Sequence, residues 1–460
     1  MEQTHRTTRT RGRLTLGACV LAAATAVAGT AAPARADAAW GPVTQVDRGT
    51  DGAPADQPST SLGISGNGHY ALFASSATNL VPDGAKAGFG LYVRDLRTGR
   101  TELVSRADDG TPLTALDDRA GISGDGRYVV FSSGAADVAP GQPANGAYNV
   151  YVRDRVKART RLVTTGTPTG GTQGDPGAYH PAISADGRRI VYMSTRTDLV
   201  PGAAVKPDTR NIYVTDRITG HTRLASPGAN GQAADNDSDN PTISADGGTV
   251  GFSSRATNLL PPATPANGAV HPHGLRYTNL YTYDLHRRTT TLASLAADGT
   301  AGPAAPALRL SPDGRYAAYA LGASPLPGGK ARTELFVHDL RTGKVNSART
   351  SANPAAICWA DPSAAISSDD RWVYFSGGCS DTIIHARQAR HDLYRQNLAT
   401  GRTETISTAS DGSQQDGAAI APYVSDNGRT VEFTDNSTNL LPGGTTSNDW
   451  HVYARTPGEH

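Results

Sequence analysis

Aspartates that alternate along one loop are the strongest candidate for site chemistry in this sequence. The run 235–240, Asp-Asn-Asp-Ser-Asp-Asn, could direct several carboxylate oxygens at one hard cation. We therefore predict that Asp235, Asp237 and Asp239 are ligands of a possible Ca²⁺ site, and we expect no other cofactor. A solvated acidic loop is the alternative, because the run lacks the glycine and the twelfth-position glutamate of an EF-hand.

Histidines provide a second candidate. His271 and His273 are separated by one residue, a spacing that could bind a transition metal if a third ligand joined them. An exposed loop that binds no metal is the alternative. We assign His180, His271, His273 and Arg276 to the face of the protein that binds its ligand.

Motifs of nucleophilic and nucleotide-binding enzymes are missing from the sequence. There is no Gly-x-Ser-x-Gly elbow and no glycine-rich phosphate loop before a helix. No catalytic residue can therefore be assigned from a linear motif.

The elements that must position these side chains are seven copies of one unit. In the clearest copy, Ile-Ser-Ala-Asp-Gly-Arg at 183–188 is followed by an apolar run at 190–193. Asp-Gly favours a tight hairpin turn, so the unit predicts strand, turn and strand. The copies recur about every 60 residues, which indicates a propeller or a related array. Asp370 replaces the turn glycine in the sixth copy, where we expect a looser or strained turn.

Each unit continues with a third strand of the Tyr-Val-x-Asp type and a short fourth strand. Only six fourth strands follow a third strand, and residues 43–48 match the missing one. We predict an all-β fold, a seven-bladed β-propeller of four-stranded antiparallel blades, closed by an N-terminal strand that completes the last blade. The predicted domain is 37–460, with blade cores at about 58–106, 118–165, 180–226, 240–294, 306–350, 362–407 and 422–456 plus 43–48.

The repeat unit resembles the TolB-like β-propeller repeat family. The resemblance rests on Ile-Ser-Ala-Asp-Gly-Arg, on the Tyr-Val-x-Asp strand, and on Thr-Asn-Leu-Val-Pro at 78–82 with its later copies. It covers residues 43 to 456 and implies the propeller fold. It implies no single function, because such propellers include binding scaffolds, assembly factors and enzymes.

The order of strands in a blade also predicts where the two cysteines of the mature chain lie. Cys358 lies before the first strand of blade six and Cys379 just after its second strand, so both should lie on the face that carries the long loops. In an oxidising compartment we predict a disulfide between them. Two unpaired thiols are the alternative.

Residues 1–36 have the pattern of a signal peptide. Arginines precede an apolar run that ends at Ala34-Arg35-Ala36, so we predict cleavage after Ala36 and secretion. A membrane anchor is the alternative. From 43 basic and 42 acidic side chains, cleavage would remove five arginines and one glutamate and leave a net charge of about −3. We therefore predict no nucleic-acid partner. No later segment is apolar enough to span a bilayer, so we predict no membrane insertion after cleavage, and we expect a monomer.

Export, whole-chain repeats and absent catalytic motifs together predict a secreted, non-catalytic scaffold. It would bind a protein, a peptide or a cell-wall glycan through its loop-rich face. The alternative is a carbohydrate-active lyase or hydrolase with its site at the mouth of the propeller channel. An assembly factor is a third possibility.

Overall fold

The structure is a computed structural model that describes residues 40–82, 88–142, 146–166, 177–261, 278–302, 304–326, 330–349, 357–380, 391–445 and 448–457. The predicted signal peptide, His271, His273 and Arg276 lie outside these residues. The described residues contain no helix that is long and apolar enough to cross a membrane.

Seven four-stranded antiparallel sheets confirm the predicted seven-bladed propeller. The first three blades are β2–β5 (Ser59–Ile64, Tyr70–Ser75, Gly90–Asp95, Thr101–Leu103), β6–β9 (Leu116–Ile122, Tyr128–Ser133, Asn149–Asp154, Arg159–Leu162) and β10–β13 (Ala178–Ile183, Arg189–Ser194, Asn211–Asp216, Thr222–Leu224). The next three are β14–β17 (Ser238–Ile243, Thr249–Ser254, Asn279–Asp284, Thr289–Leu292), β18–β21 (Ala304–Leu310, Tyr316–Leu326, Lys330–Asp339, Val345–Ala348) and β22–β25 (Ile357–Ile366, Trp372–Ser380, Asp392–Asn397, Thr403–Thr405). Blade seven combines β26–β28 (Ala419–Val424, Val431–Asp435, His451–Pro457) with β1 (Trp40–Gln45).

The N-terminal strand closes the ring, as the sequence predicts. β1 pairs antiparallel with β28, with Val43 opposite Arg455 and Gln45 opposite Tyr453. Beyond the paired residues, His451 Nδ1 lies 2.7 Å from Asp47 Oδ2 in a buried contact. The two ends of the folded chain are therefore joined by backbone pairing and by one buried ion pair.

A stacked aromatic pair recurs between the second and third strands of the blades. Phe73 stacks on Tyr92 with ring centroids 5.6 Å apart, and Phe433 on Tyr453 at 6.0 Å. Both faces of each sheet pack against a neighbouring blade, which explains why the second strands are continuous apolar runs. The core is thus a series of layers between blades.

The repeated turns are held by their own side chains. In the third blade Ser184 Oγ donates to Asp186 Oδ1 at 2.5 Å, and the backbone N–H groups of Arg188 and Arg189 donate to Asp186 and Ser184. The turn glycine, Gly187, has a φ of 67°. Asp370 adopts the same left-handed conformation with a φ of 56°, so the sixth turn keeps its shape at a cost in backbone strain.

The two cysteines lie on neighbouring strands of blade six. In the pairing of β22 with β23, Cys358 stands directly opposite Cys379. Directly opposed residues have Cα atoms about 4.5–5.5 Å apart, within the range that a disulfide spans. The disulfide itself stays a prediction.

Candidate active site

The first strands of the seven blades surround a central channel with a volume of about 490 Å³. These strands begin at one end of the channel, which we call the mouth, and end at the repeated turns. Blades two, three, five and seven contribute its charged and aromatic lining residues, which include Asp118, Arg119, His180, Arg309 and Tyr423.

The turn end of the channel is narrowed by backbone hydrogen bonds between neighbouring turns. The N–H of Asn67 donates to Gly124 O at 3.0 Å, and that of Gly124 donates to Ala185 O at 2.9 Å. Equivalent bonds join Asp426 to Gly66, Ala185 to Ala245 and Asp246 to Pro312. These contacts join the turns of six blades at this end of the channel.

Two carboxylates and an imidazole come together at the mouth. His180 Nε2 lies 3.8 Å from Asp117 Oδ1 and 4.0 Å from Asp118 Oδ1. The backbone N–H of His180 donates to Asp117 Oδ2 at 3.0 Å. Potential ligand atoms of the three residues lie within 4.8 Å of one another, the one such group of three found among the described residues.

A bulge in β10 places His180 at this position. The register of β10 with β11 shifts between Tyr179 and Ala182, and His180 has a φ of 52°. Asn240 and Ala421 have the same left-handed conformation at the matching position of β14 and β26. A non-glycine residue in this region stores about 1–2 kcal/mol of strain, and its recurrence in three blades marks the bulge as a feature of the repeat.

Burial shifts the ionisation of the mouth residues in opposite directions. Burial raises the pKa of Asp117 to about 6, and the neighbouring Asp118 carboxylate adds to the rise. Burial lowers the pKa of His180 to about 4, and the positive charge of Arg119 lowers it further. The imidazole is therefore neutral near pH 7, with its Nδ1 buried and without a hydrogen-bond partner.

A neutral imidazole beside two carboxylates has two chemical uses. It can accept a proton from a bound molecule, or it can bind a divalent cation together with Asp117 and Asp118. The donor set of two carboxylates and one imidazole suits ions such as Mn²⁺ or Zn²⁺.

A second charged group lies beside this one, on blades three and four. Arg210 Nη2 lies 2.7 Å from Asp237 Oδ2, and its Nε lies 3.1 Å from Asp239 Oδ1. Burial raises the pKa of Asp239, although the positive charge of Arg210 opposes the rise. Arg210 also disfavours the charged form of His180, so the two groups are electrostatically linked.

The predicted Ca²⁺ ligands take separate partners. Asp235 accepts hydrogen bonds from the N–H and Oγ1 of Thr257, whereas Asp237 and Asp239 contact Arg210. The structure thus does not gather the three carboxylates into one metal-binding cluster. Ca²⁺ binding by these residues stays a prediction. Each of the three carboxylates already has another partner in the structure.

The opposite wall of the channel carries an arginine and an aromatic ring. The guanidinium of Arg309 from blade five lies 5.7 Å from the ring centroid of Tyr423 from blade seven. Both residues line the channel one position before the end of their strands. A cation and an aromatic face at one place in a channel are suited to an anionic ring-shaped ligand.

The sequence nominated only His180 among the residues of this site. Asp117, Asp118 and Arg119 belong to the first strand of blade two, where most other blades carry small or uncharged residues. An alignment of the seven copies would have singled out this charged departure from the repeat.

Solved structures of several enzymes share this fold. The oligogalacturonate lyase from Vibrio parahaemolyticus is 15% identical, with a TM-score of 0.51 over 91% of this chain and 94% of that chain. An oligogalacturonate lyase in complex with manganese is 14% identical, with a TM-score of 0.52 over 92% and 98%. An acylaminoacyl peptidase is 11% identical, with a TM-score of 0.50 over 88% of this chain and 52% of that chain, so the chain spans about half of the peptidase.

The remaining comparisons concern the family resemblance. A putative TolB from Agrobacterium tumefaciens is 17% identical, with a TM-score of 0.39 over 63% of this chain and 80% of that chain. TolB proteins are among the structural matches. No family model and no curated protein matches the sequence.

The prediction of a non-catalytic scaffold is wrong. Enzymes recur among the structures that match nine-tenths of this chain, and the lyase or hydrolase that the sequence left as its alternative fits them better. The error has a physical cause. A site built from single side chains of different blades leaves no linear motif, so absent motifs did not exclude catalysis.

Proposed function

We propose that this protein is a carbohydrate-active enzyme, a lyase that cleaves acidic sugar chains at the mouth of its propeller channel. The observation that supports the proposal best is the convergence of Asp117, Asp118 and His180 at the mouth. The oligogalacturonate lyases named above act on an acidic glycan and share the fold, which agrees with this choice of class.

Lyase chemistry on a uronate residue requires a proton acceptor and a positive charge. The acceptor removes the proton next to the sugar carboxylate, a carbon–carbon double bond forms, and the glycosidic carbon–oxygen bond breaks. The departing oxygen then takes up a proton. The neutral imidazole of His180 can act as the acceptor, and Arg119 supplies positive charge beside it, while Arg309 adds positive charge deeper in the channel.

Asp117 and Asp118 are adjacent residues of one strand, on one side of the mouth, and this placement favours a lyase over a hydrolase. Glycoside hydrolases hold their two carboxyl groups about 5–5.5 Å or about 6.5–9.5 Å apart, so that they flank the bond that is cut. Asp117 and Asp118 offer oxygens within 4.8 Å of one another and of His180, on one side of the mouth. This arrangement suits a single proton-transfer or cation-binding centre.

A divalent cation would be held by Asp117, Asp118 and His180. When bound, it would supply positive charge to the substrate carboxylate. His180 would then serve as a ligand, and its orientation would still be fixed by the bulge in β10 and by its N–H bond to Asp117.

The test is an activity screen of the mature protein on acidic oligosaccharides such as oligogalacturonate. Formation of the unsaturated product is followed by ultraviolet absorbance and mass spectrometry, with EDTA and with added Mn²⁺. His180→Ala and Asp117→Asn should each reduce turnover by about 100-fold or more, whereas the exposed Asp109→Asn is the matched control. Activity that survives EDTA assigns His180 as the proton acceptor, and activity that requires Mn²⁺ assigns it as a ligand.

The proposal fails if no acidic glycan is cleaved under either condition. It also fails if His180→Ala is as active as the Asp109→Asn control. Both variants should be checked for folding by circular dichroism.

We also propose that the protein is exported and acts outside the cytoplasm. The support is the pattern of residues 1–36 described from the sequence. Mass spectrometry of the secreted protein should find Asp37 as its first residue, and recovery of the uncleaved chain in the cytoplasm would contradict export.

A further inference from the structure

Two grooves run along the outer wall of blades two, three and four. The groove between blades three and four has a volume of about 570 Å³, and its walls include Arg223, Tyr283 and Arg288. An adjoining cavity of about 310 Å³ shares Arg223 and Arg288. The groove between blades two and three has a volume of about 150 Å³ and includes Lys157 and Arg161.

Four cations in these grooves have no counter-charge. We call Lys157, Arg161, Arg223 and Arg288 the basic band; across the described residues, none of the four forms an ion pair or a side-chain hydrogen bond. The nearby carboxylates already form ion pairs with other arginines. Asp154 and Asp216, which also line these cavities, are each paired at 2.7 Å with another arginine, Arg127 and Arg188 respectively.

The basic band is a property of this wall and not of the repeat. Arg161 and Arg223 occupy the same position of the fourth strand in blades two and three, opposite Val152 and Val214. Blades one and six carry Glu102 and Glu404 at that position. At this position of the fourth strand, blades two and three therefore carry a positive charge where blades one and six carry a negative one.

We propose that the basic band is a second, non-catalytic binding site for an acidic polysaccharide. Unpaired arginines recognise carboxylate and sulfate groups, and blade-to-blade repetition of the cations suits a chain with repeated negative charge. Leu224, Leu259 and Leu285 line the bottom of the groove between blades three and four, so the contacts available to a ligand are mainly those of the cations above them. The choice of a glycan rests on the proposed function, whereas the preference for an anionic chain does not.

The grooves are poorly suited to single-stranded nucleic acid, another common polyanion, and duplex DNA is therefore included as a competing ligand in the binding experiment. Binding of single strands relies on exposed aromatic rings on which bases stack. Tyr283 is only 8% exposed, and the ring of Tyr128 is covered by Arg127 at 4.9 Å and Arg217 at 3.9 Å. The aromatic residues of the grooves are thus not free to stack on bases.

The experiment compares two triple variants of the full mature protein. Arg161→Ala/Arg223→Ala/Arg288→Ala removes three members of the band. Arg97→Ala/Arg287→Ala/Arg402→Ala removes the same charge from arginines that already pair with Asp95, Asp284 and Glu404. Affinity for polygalacturonate, dextran sulfate and a DNA duplex is measured by isothermal titration calorimetry at low and high salt.

Wild-type protein should bind polygalacturonate or dextran sulfate. Comparing the affinities for the two polymers shows whether the site prefers carboxylate or sulfate groups. The band variant should bind about tenfold more weakly, the combined effect of three exposed ion pairs. The control variant should bind like the wild type. Activity on a short acidic oligosaccharide should be the same in all three proteins, because such a substrate reaches only the channel.

Three results would overturn the proposal. These are equal weakening in both variants, binding of the DNA duplex as strong as that of the glycans, and no binding of any polyanion by the wild type. If the proteins cleave short substrates while any of these occurs, the second site is refuted and the proposed lyase function stands. If the basic band binds glycan but no substrate is cleaved, the second binding site stands and the proposed lyase function is refuted.

Discussion

Replacing His451 with glutamine should weaken the junction between the two ends of the chain. His451 Nδ1 lies 2.7 Å from Asp47 Oδ2, and the Asp47 side chain is fully buried. Removing one member of a buried pair leaves the other charge uncompensated, which costs about 3–5 kcal/mol. Gln45 Nε2 still donates to Asp47 at 3.0 Å, so we expect the lower end, about 3 kcal/mol in the free energy of unfolding.

The stability lost in His451→Gln should depend on pH. The hydrogen bond to Asp47 raises the pKa of His451 above its usual value of 6.5. The charged pair therefore stabilises the fold fully below about pH 6.5, and this contribution is lost as the pH rises through the higher pKa of the folded state. His451→Gln should consequently cost more at about pH 5.5 than at about pH 9.

The assay is urea unfolding at both pH values, followed by tryptophan fluorescence and circular dichroism. His221→Gln is the control, because His221 is exposed just before β13 and its replacement should change stability by less than about 0.5 kcal/mol. If His451→Gln is equally destabilising at both pH values, the histidine acts through packing and the ion-pair reasoning is refuted. A loss no larger than that of the control would refute it as well.

The remaining predictions concern blade six. Asp370→Gly should raise the free energy of unfolding by about 1 kcal/mol, because Asp370 has a φ of 56° where the other six turns have glycine. Burial raises the pKa of Asp370 to about 6 and so disfavours its charged form in the folded state, so the gain should be larger at pH 7 than at pH 4. Urea unfolding at both pH values measures the gain. A gain that shrinks toward pH 7 would contradict the prediction. Peptide mapping without reductant should find Cys358 joined to Cys379, and the double replacement by serine should lower the free energy of unfolding by about 3 kcal/mol. Free thiols at both positions in the secreted protein would contradict the bridge.

The architecture was predictable because the repeat is held by local interactions. Ser184, Asp186 and Gly187 specify their turn through bonds that span no more than five residues, and the same types recur in the other copies. Closure of the ring was also predictable, since residues 43–48 have the composition of the missing fourth strand. Neither inference required knowledge of contacts between blades.

The candidate site depends on contacts between blades, and the sequence contains no local sign of them. Asp117 and His180 are separated by 63 residues and meet because neighbouring blades pack and because β10 has a bulge. The partner of Asp235 in the aspartate run was not predictable either, although it lies within the same blade. The spacing of Asp235 could not show that Thr257, 22 residues away, holds its carboxylate.

Because β1 completes the last blade, the ring can close only after the last strand has been synthesised. Blades one to six each consist of consecutive strands, so each can form as soon as its own segment is available. β1 is made first, yet its partner β28 is made last, and Trp40 stands opposite Pro457 in the finished sheet. The first strand must therefore remain unpaired while more than 400 residues are added, and the ring becomes a single closed body only when the final strand arrives.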